Sequence, residues 1–253
     1  MRKVGIAGIG AIGGAVLKAL DQGVDGLSLG AVSDPKTQDS VDFDALIAQS
    51  DLIIECLPAG QVPALAKKVF AANKDIIFIS SAALLIYPDI TKQLEQSKSR
   101  AYLPSGALCG LDGVTAMKEM GIKSSKIAST KPPLGFTGAP FIVENKVDLS
   151  AITEKTMIFE GNALDAAKGF PANINVAATL SLAGIGATNT RVEIWADPAA
   201  TGNAHEITVK SDYSTLVSRI ENQPDPANPK SSVLAAQSIV ATLRNMHNAL
   251  IIG

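Results

Sequence analysis

The stretch Lys3-Val-Gly-Ile-Ala-Gly-Ile-Gly-Ala-Ile-Gly13 decides the fold. Lys3 to Ala7 reads as a short buried strand, and Ala11 to about Leu20 carries helical spacing. Between them, Gly8-Ile9-Gly10-Ala11-Ile12-Gly13 fits G-x-G-x-x-G. Each glycine has a mechanical reason: Gly8 for the tight turn, Gly10 for close approach of backbone to a pyrophosphate, and Gly13 for helix–strand contact. The loop, with Ala11 and Ile12 opening the helix, offers free N–H groups and the positive end of a helix dipole. A second strand, Leu27 to Ser33, leads to Asp34, which lies 21 residues past Gly13. That is close to the ~20 expected of an acid that accepts from ribose hydroxyls. The expectation is a dinucleotide site. A carboxylate at position 34 would repel a 2′-phosphate and favours NAD, while Lys36, two residues on, leaves NADP open.

The alternation continues outward. Val41 to Gln49 reads as a helix, Leu52 to Leu57 as a buried strand, and Gln61 to Ala72 as a helix. Ile76 to Ser80 reads as a strand, Pro88 to Lys98 as a helix, and Ala101 to Leu103 as the start of another strand. Apolar strands separated by helices predict a parallel sheet covered on both faces, a Rossmann-type, doubly wound α/β fold.

Past about residue 122 the pattern changes. Lys126 to Thr130, Thr156 to Glu160, Thr190 to Ala196, His205 to Lys210 and Leu216 to Ile220 read as strands, interrupted by helices at Ala163 to Lys168 and Asn173 to Leu182. This predicts a second, α+β domain with a mixed, mostly antiparallel sheet. Residues 222–229 hold three prolines and read as a loop. Ser231 to Asn248 reads as a helix packing back on the first domain. The expected division is 1–108, completed by 231–253, and 109–230 for substrate, catalysis and self-association.

Composition narrows the function classes. Among 253 residues, 47% are hydrophobic, which excludes disorder, and the net charge of −2 offers no basic surplus for nucleic acid. Two cysteines, Cys56 and Cys109, make no disulfide framework, so a reducing cytoplasm is expected. Met1-Arg2-Lys3 imitates the start of a secretory signal, but five glycines interrupt the apolar run that follows. The apolar stretch from Ile76 to Tyr87 is too short to span a bilayer, so the chain reads as soluble. No Cys, His and carboxylate cluster has metal-ligand spacing, and no metal is expected.

Three further stretches stand out: Leu103-Pro-Ser-Gly-Ala-Leu-Cys-Gly-Leu-Asp-Gly113, Phe170-Pro-Ala-Asn-Ile-Asn-Val-Ala-Ala-Thr-Leu180 and Gly202-Asn-Ala-His-Glu-Ile207. With the glycine loop, in this order and spacing, the chain resembles the L-aspartate dehydrogenase family over nearly its whole length. The resemblance implies NAD- or NADP-dependent oxidation of L-aspartate to iminoaspartate, which hydrolyses to oxaloacetate and ammonia or feeds NAD biosynthesis. It implies His205 as catalytic acid/base and Asn175 as a cofactor contact. It also implies cofactor contacts from Ser105 to Gly110. Cys109 stands there where a small residue is usual, and Ser80-Ser81-Ala82 departs mildly from the family's pattern.

Read from the residues alone, Asn203, His205, Ile207 and Val209 share one strand face, so His205 is either a satisfied core histidine or a group facing a site. A neutral imidazole can take the proton of a substrate amine near neutral pH. His247 reads as a surface residue. Two substrate carboxylates call for cationic or N–H donors. The candidates are Lys131, Lys168 and Arg191, or Ser105 with the glycine-rich backbone around it. Asn173 and Asn175 have a competing explanation as helix caps. Cys56 reads as core and Cys109 as a small buried thiol.

Two other readings keep the cofactor domain. One is a reductase or dehydrogenase of the dihydrodipicolinate reductase or homoserine dehydrogenase type, against which Asn-Ala-His-Glu-Ile argues. The other is a protein that binds NAD without turnover. The half-buried second sheet further suggests a homodimer.

Overall fold

The computed structural model describes residues 1–225 and 228–251. The chain separates into two compact units, residues 1–106 with the segment from Val233 onward, and Ala107–Ser232.

The first unit is a five-stranded parallel sheet. Its elements are β1 (Arg2–Ala7), α1 (Ala11–Gln22), β2 (Leu27–Ser33), α2 (Phe43–Ala48), β3 (Leu52–Glu55), α3 (Val62–Ala71), β4 (Asp75–Phe78), α4 (Ala82–Ile86), α5 (Asp89–Glu95) and β5 (Ala101–Tyr102). The spatial order is β2-β1-β3-β4-β5. Direction therefore reverses between β1 and β3, and ligands of open α/β sheets bind in the crevice at the carboxyl ends there.

Both faces are buried, as unbroken apolar strands require. Val4, Ile6, Ile54 and Ile77 face one core with Val16 and Leu20 of α1, and the C-terminal helix Val233–Asn245 adds Ile239, Val240 and Leu243. Ile53, Ile76 and Phe78 face the other, against Leu65, Val69 and Phe70 of α3. Each such side chain contributes roughly 1.5–3 kcal/mol by leaving water.

The second unit contains α6 (Leu111–Glu119), β6 (Ile122–Lys131), α7 (Pro140–Glu144), β7 (Thr156–Asn162), α8 (Ala163–Gly169), α9 (Asn175–Ala183), β8 (Thr190–Ala196), β9 (Asn203–Ser211) and β10 (Thr215–Asn222). The strand order is β10-β9-β6-β8-β7, with only β6 and β8 parallel. One face carries Ile127, Val192, Ile194, His205, Ile207 and Val209, all buried. The other carries Lys126, Arg191, Glu206 and Arg219, interleaved with them by the two-residue period of a strand.

Three expectations are corrected. Residues 222–229, read as a loop, include β11 (Pro224–Asp225), which pairs with β12 (Asn228–Ser232); Pro226 and Ala227 between them lie outside the described residues. The C-terminal helix begins at Val233 rather than Ser231. Neither Asn173 nor Asn175 caps α9: Ile174 holds the cap position, without a side-chain capping bond. Among the described residues, no helix is long and apolar enough to cross a membrane.

Candidate active site

The glycine loop sits at the carboxyl end of β1. Gly8 has φ +86°, and its N–H donates to the Ser33 carbonyl at 2.8 Å. A Cβ at Gly8 would lie 2.5 Å from the Cys56 carbonyl oxygen, and one at Gly13 would lie 1.9 Å from that of Gly8. Both positions therefore require glycine for packing. Gly10 is different: nothing lies within 4 Å of its absent Cβ, so this position is open toward an approaching ligand. Gly10 is also the cap of α1, which has no side-chain cap and no acidic residue in its first turn. Its N–H groups are thus left to an anion.

Asp34 closes the loop from the neighbouring strand. Its carboxylate accepts from the N–H of Ile9 at 2.7 Å and of Lys36 at 2.9 Å. These two bonds hold the carboxyl below its usual range, so it stays ionised. A glycine cradle with a fixed carboxylate at its end fits a dinucleotide's pyrophosphate and ribose.

Beneath the same end of the sheet lies Glu55, which is wholly buried. It accepts from the N–H of Leu57 at 2.6 Å and of Ser80 at 3.1 Å, while the Ser80 hydroxyl donates to the Leu57 carbonyl at 2.7 Å. Burial pushes its carboxyl up to about 6 despite those bonds. Glu55 ends an apolar strand, and no local pattern singles it out.

In the second unit, β6 and β9 bring Ser129 and His205 opposite one another. The Ser129 hydroxyl and His205 Nδ1 are 2.9 Å apart, with the residues 2% and 3% exposed. Burial first, and the Lys131 charge second, lower the imidazole to about 3, so the ring is neutral. Ser129 carries no sequence signal for this role, because its partner is 76 residues away.

Lys131 ends β6 on the same face as Ser129. Its Nζ donates to Asn173 Oδ1 at 2.9 Å, and burial lowers it to about 8. Together they line a cavity of about 470 Å³ with Pro132, Leu134, Thr137 and Asn203. The other cations are placed differently. Lys168 is exposed and 4.0 Å from Asp165, and Arg191 pairs with Glu160 at 2.6 Å on the opposite sheet face. Asn175 opens α9, and Ser105 belongs to the first unit. Cys109, in the loop before α6, is exposed rather than buried, with its Sγ 2.7 Å from the hydroxyl of Ser218 on β10. Among the described residues, no group of three or more His, Cys, Asp or Glu could hold a metal ion.

A dinucleotide cradle on one unit and a buried neutral histidine beside a cationic cavity on the other define a nicotinamide-dependent dehydrogenase. The comparisons with known proteins narrow this class. The family model described as aspartate dehydrogenase, C-terminal, matches residues 112–246. L-aspartate dehydrogenase 3 of Bordetella bronchiseptica is 41% identical, with the alignment covering 99% of this chain and 97% of that protein. L-aspartate dehydrogenase of Methanosarcina acetivorans is 38% identical, over the full length of both. Among solved structures, aspartate dehydrogenase of Thermotoga maritima superposes with a TM-score of 0.76 at 27% identity, covering both chains completely. The chain belongs to the L-aspartate dehydrogenase family.

Proposed function

We propose that this chain oxidises L-aspartate to iminoaspartate with a nicotinamide dinucleotide, and runs the reverse reductive amination of oxaloacetate. The observation that carries this reading is that the neutral buried His205 of β9 and the cation Lys131 of β6 share one sheet face, with Lys131 lining a cavity of about 470 Å³. The nicotinamide ring, when bound, accepts the hydride from Cα. The protein's own groups do the rest. The substrate enters with an ammonium group, and its nitrogen must shed a proton before the Cα–H bond can leave as hydride. With Nδ1 engaged by Ser129, Nε2 of His205 is the nitrogen left to take that proton. Once that proton has passed to solvent, the neutral ring can remove one from the water that attacks the iminium. Lys131 supplies the positive charge for a substrate carboxylate and is better placed for this than the exposed Lys168.

The first unit is the dinucleotide-binding domain, through Gly8, Gly10, Ala11, Ile12, Gly13 and Asp34; Cys109 and Asn175, both in the second unit, are further cofactor contacts on the family resemblance alone. Asp34, ionised where the ribose would lie, favours NAD over NADP. The imine product makes a role in NAD biosynthesis chemically reasonable. The open face of the second sheet, with Val217 and Met157 exposed, supports a homodimer, and the free cysteines support a cytoplasmic setting.

The test is absorbance at the reduced-nicotinamide band with oxaloacetate, excess ammonia and NADH, with NADPH in parallel. Oxidation that depends on both oxaloacetate and ammonia, and is faster with NADH, supports the reading. Protein that binds NADH yet oxidises neither cofactor refutes it.

A further inference from the structure

Lys131 and His205 are two basic groups in one buried patch. Lys131 follows Ser129 by two residues, so both side chains leave β6 on one face, and Ser129 is the residue that holds His205 Nδ1. The Lys131 ammonium has no salt bridge among the described residues. Its one hydrogen-bond partner among the described residues is the neutral oxygen of Asn173, at 2.9 Å. An ammonium has three donors, so two remain for a ligand in the cavity that it lines.

The other charged groups near the histidine are Lys155, Glu206 and Arg219, which border a small hollow that His205 also touches. Arg219 is paired with Glu206 and Glu221, at 3.7 and 2.7 Å. Lys131 is the charge that acts on the ring, in the same direction as burial.

We propose that Lys131 gates His205: beyond what burial does, its ammonium weakens the imidazole as a base, and a substrate carboxylate seated on that ammonium cancels its field. The ring then takes the proton leaving the substrate's ammonium group, at Nε2, and the freed nitrogen lone pair is ready to form the C=N bond. The base is thereby strengthened by an acidic substrate and stays weaker when a neutral amino acid occupies the same space. Lys131 determines specificity through proton affinity as well as through contact. The gate rests on the reading of a dicarboxylic substrate given above.

The chain holds two histidines, His205 and the exposed His247, so ring titrations by NMR are simple to assign. The experiment uses the full-length protein with labelled histidine, and His247→Gln identifies the His205 signal. Succinate serves as the probe, being a dicarboxylate without an amine, and its binding is measured separately by calorimetry. Saturating succinate should raise the proton affinity of His205 by about tenfold or more. Lys131→Met should raise it without succinate and abolish the response, while Lys131→Arg, which keeps the charge, should behave as the parent. A His205 titration identical with and without bound succinate overturns the gate. So does failure of succinate to bind, or an unmoved ring in Lys131→Met.

Aspartate turnover, assayed independently, separates the two claims. Turnover with a flat titration removes the gate and leaves the enzyme reading. A succinate-linked titration without turnover does the reverse.

Discussion

Replacing Glu55 with Gln tests whether a buried charge under the cofactor cradle costs stability. The side chain is wholly buried, accepts two backbone N–H bonds and faces no cation partner among the described contacts. Its carboxyl is pushed up to about 6 from an ordinary 4.5. At 1.36 kcal/mol per pH unit, this difference is worth about 2 kcal/mol. The sign follows from proton binding: the folded state holds the proton more tightly than the unfolded one. The stabilisation from protonation is therefore fully present below pH 4.5 and is lost as the pH rises through about 6. Glutamine cannot titrate, and whatever the amide does to the two N–H bonds is the same at every pH. Urea unfolding of both proteins, followed by circular dichroism, is compared at about pH 4.5 and about pH 7.5. The stability of the parent minus that of Glu55→Gln should fall by about 2 kcal/mol between the two. A difference that stays constant across the range would refute the reasoning.

The glycine loop gives a contrasting pair. Gly13→Ala places a Cβ against the Gly8 carbonyl and should lower the melting temperature as well as NADH affinity, whereas Gly10→Ala points into open space and should leave melting unchanged. NADH fluorescence titration should still show the Gly10 variant binding about tenfold more weakly, because the methyl stands where backbone must approach phosphate. Asp34→Asn removes the charge that repels a 2′-phosphate, and the ratio of kcat/KM for NADP over NAD should rise about tenfold in steady-state assays. His205→Ala should lower kcat on the order of 10²–10⁴-fold with NADH affinity nearly unchanged, and an equal loss in both would count against an acid/base role.

The cofactor half of the fold was legible because its signals are local. A strand, three glycines with separate steric duties, a helix and Asp34 lie within 32 residues of one another, and Ile9 and Asp34 do meet, at 2.7 Å. His205 was legible through strand alternation, which placed it with Ile207 and Val209 on the buried face. Its neighbours were not. Ser129 reaches it across a β6–β9 pairing whose register no short window contains, and Lys131 follows Ser129 on the same sheet face. Asn173, weighed as a helix cap, instead receives a hydrogen bond from a lysine 42 residues earlier. The helices at Ala82–Ile86, Leu111–Glu119 and Pro140–Glu144 also went unread. Two of them have only five residues, too few to show a helical period, and tertiary contacts hold them in place. The hairpin of β11 and β12 was hidden by prolines, which mark turns yet are tolerated on short edge strands.

The central claim is that hydride leaves Cα of L-aspartate while His205 handles the amine proton. L-Aspartate deuterated at Cα, incubated with the enzyme and oxidised cofactor, tests it directly by mass spectrometry of the reduced cofactor. Deuterium should appear in the cofactor, one atom for each molecule reduced, and His205→Ala should slow this transfer without diverting the label. Reduced cofactor free of deuterium, or deuterium released to solvent, would contradict it.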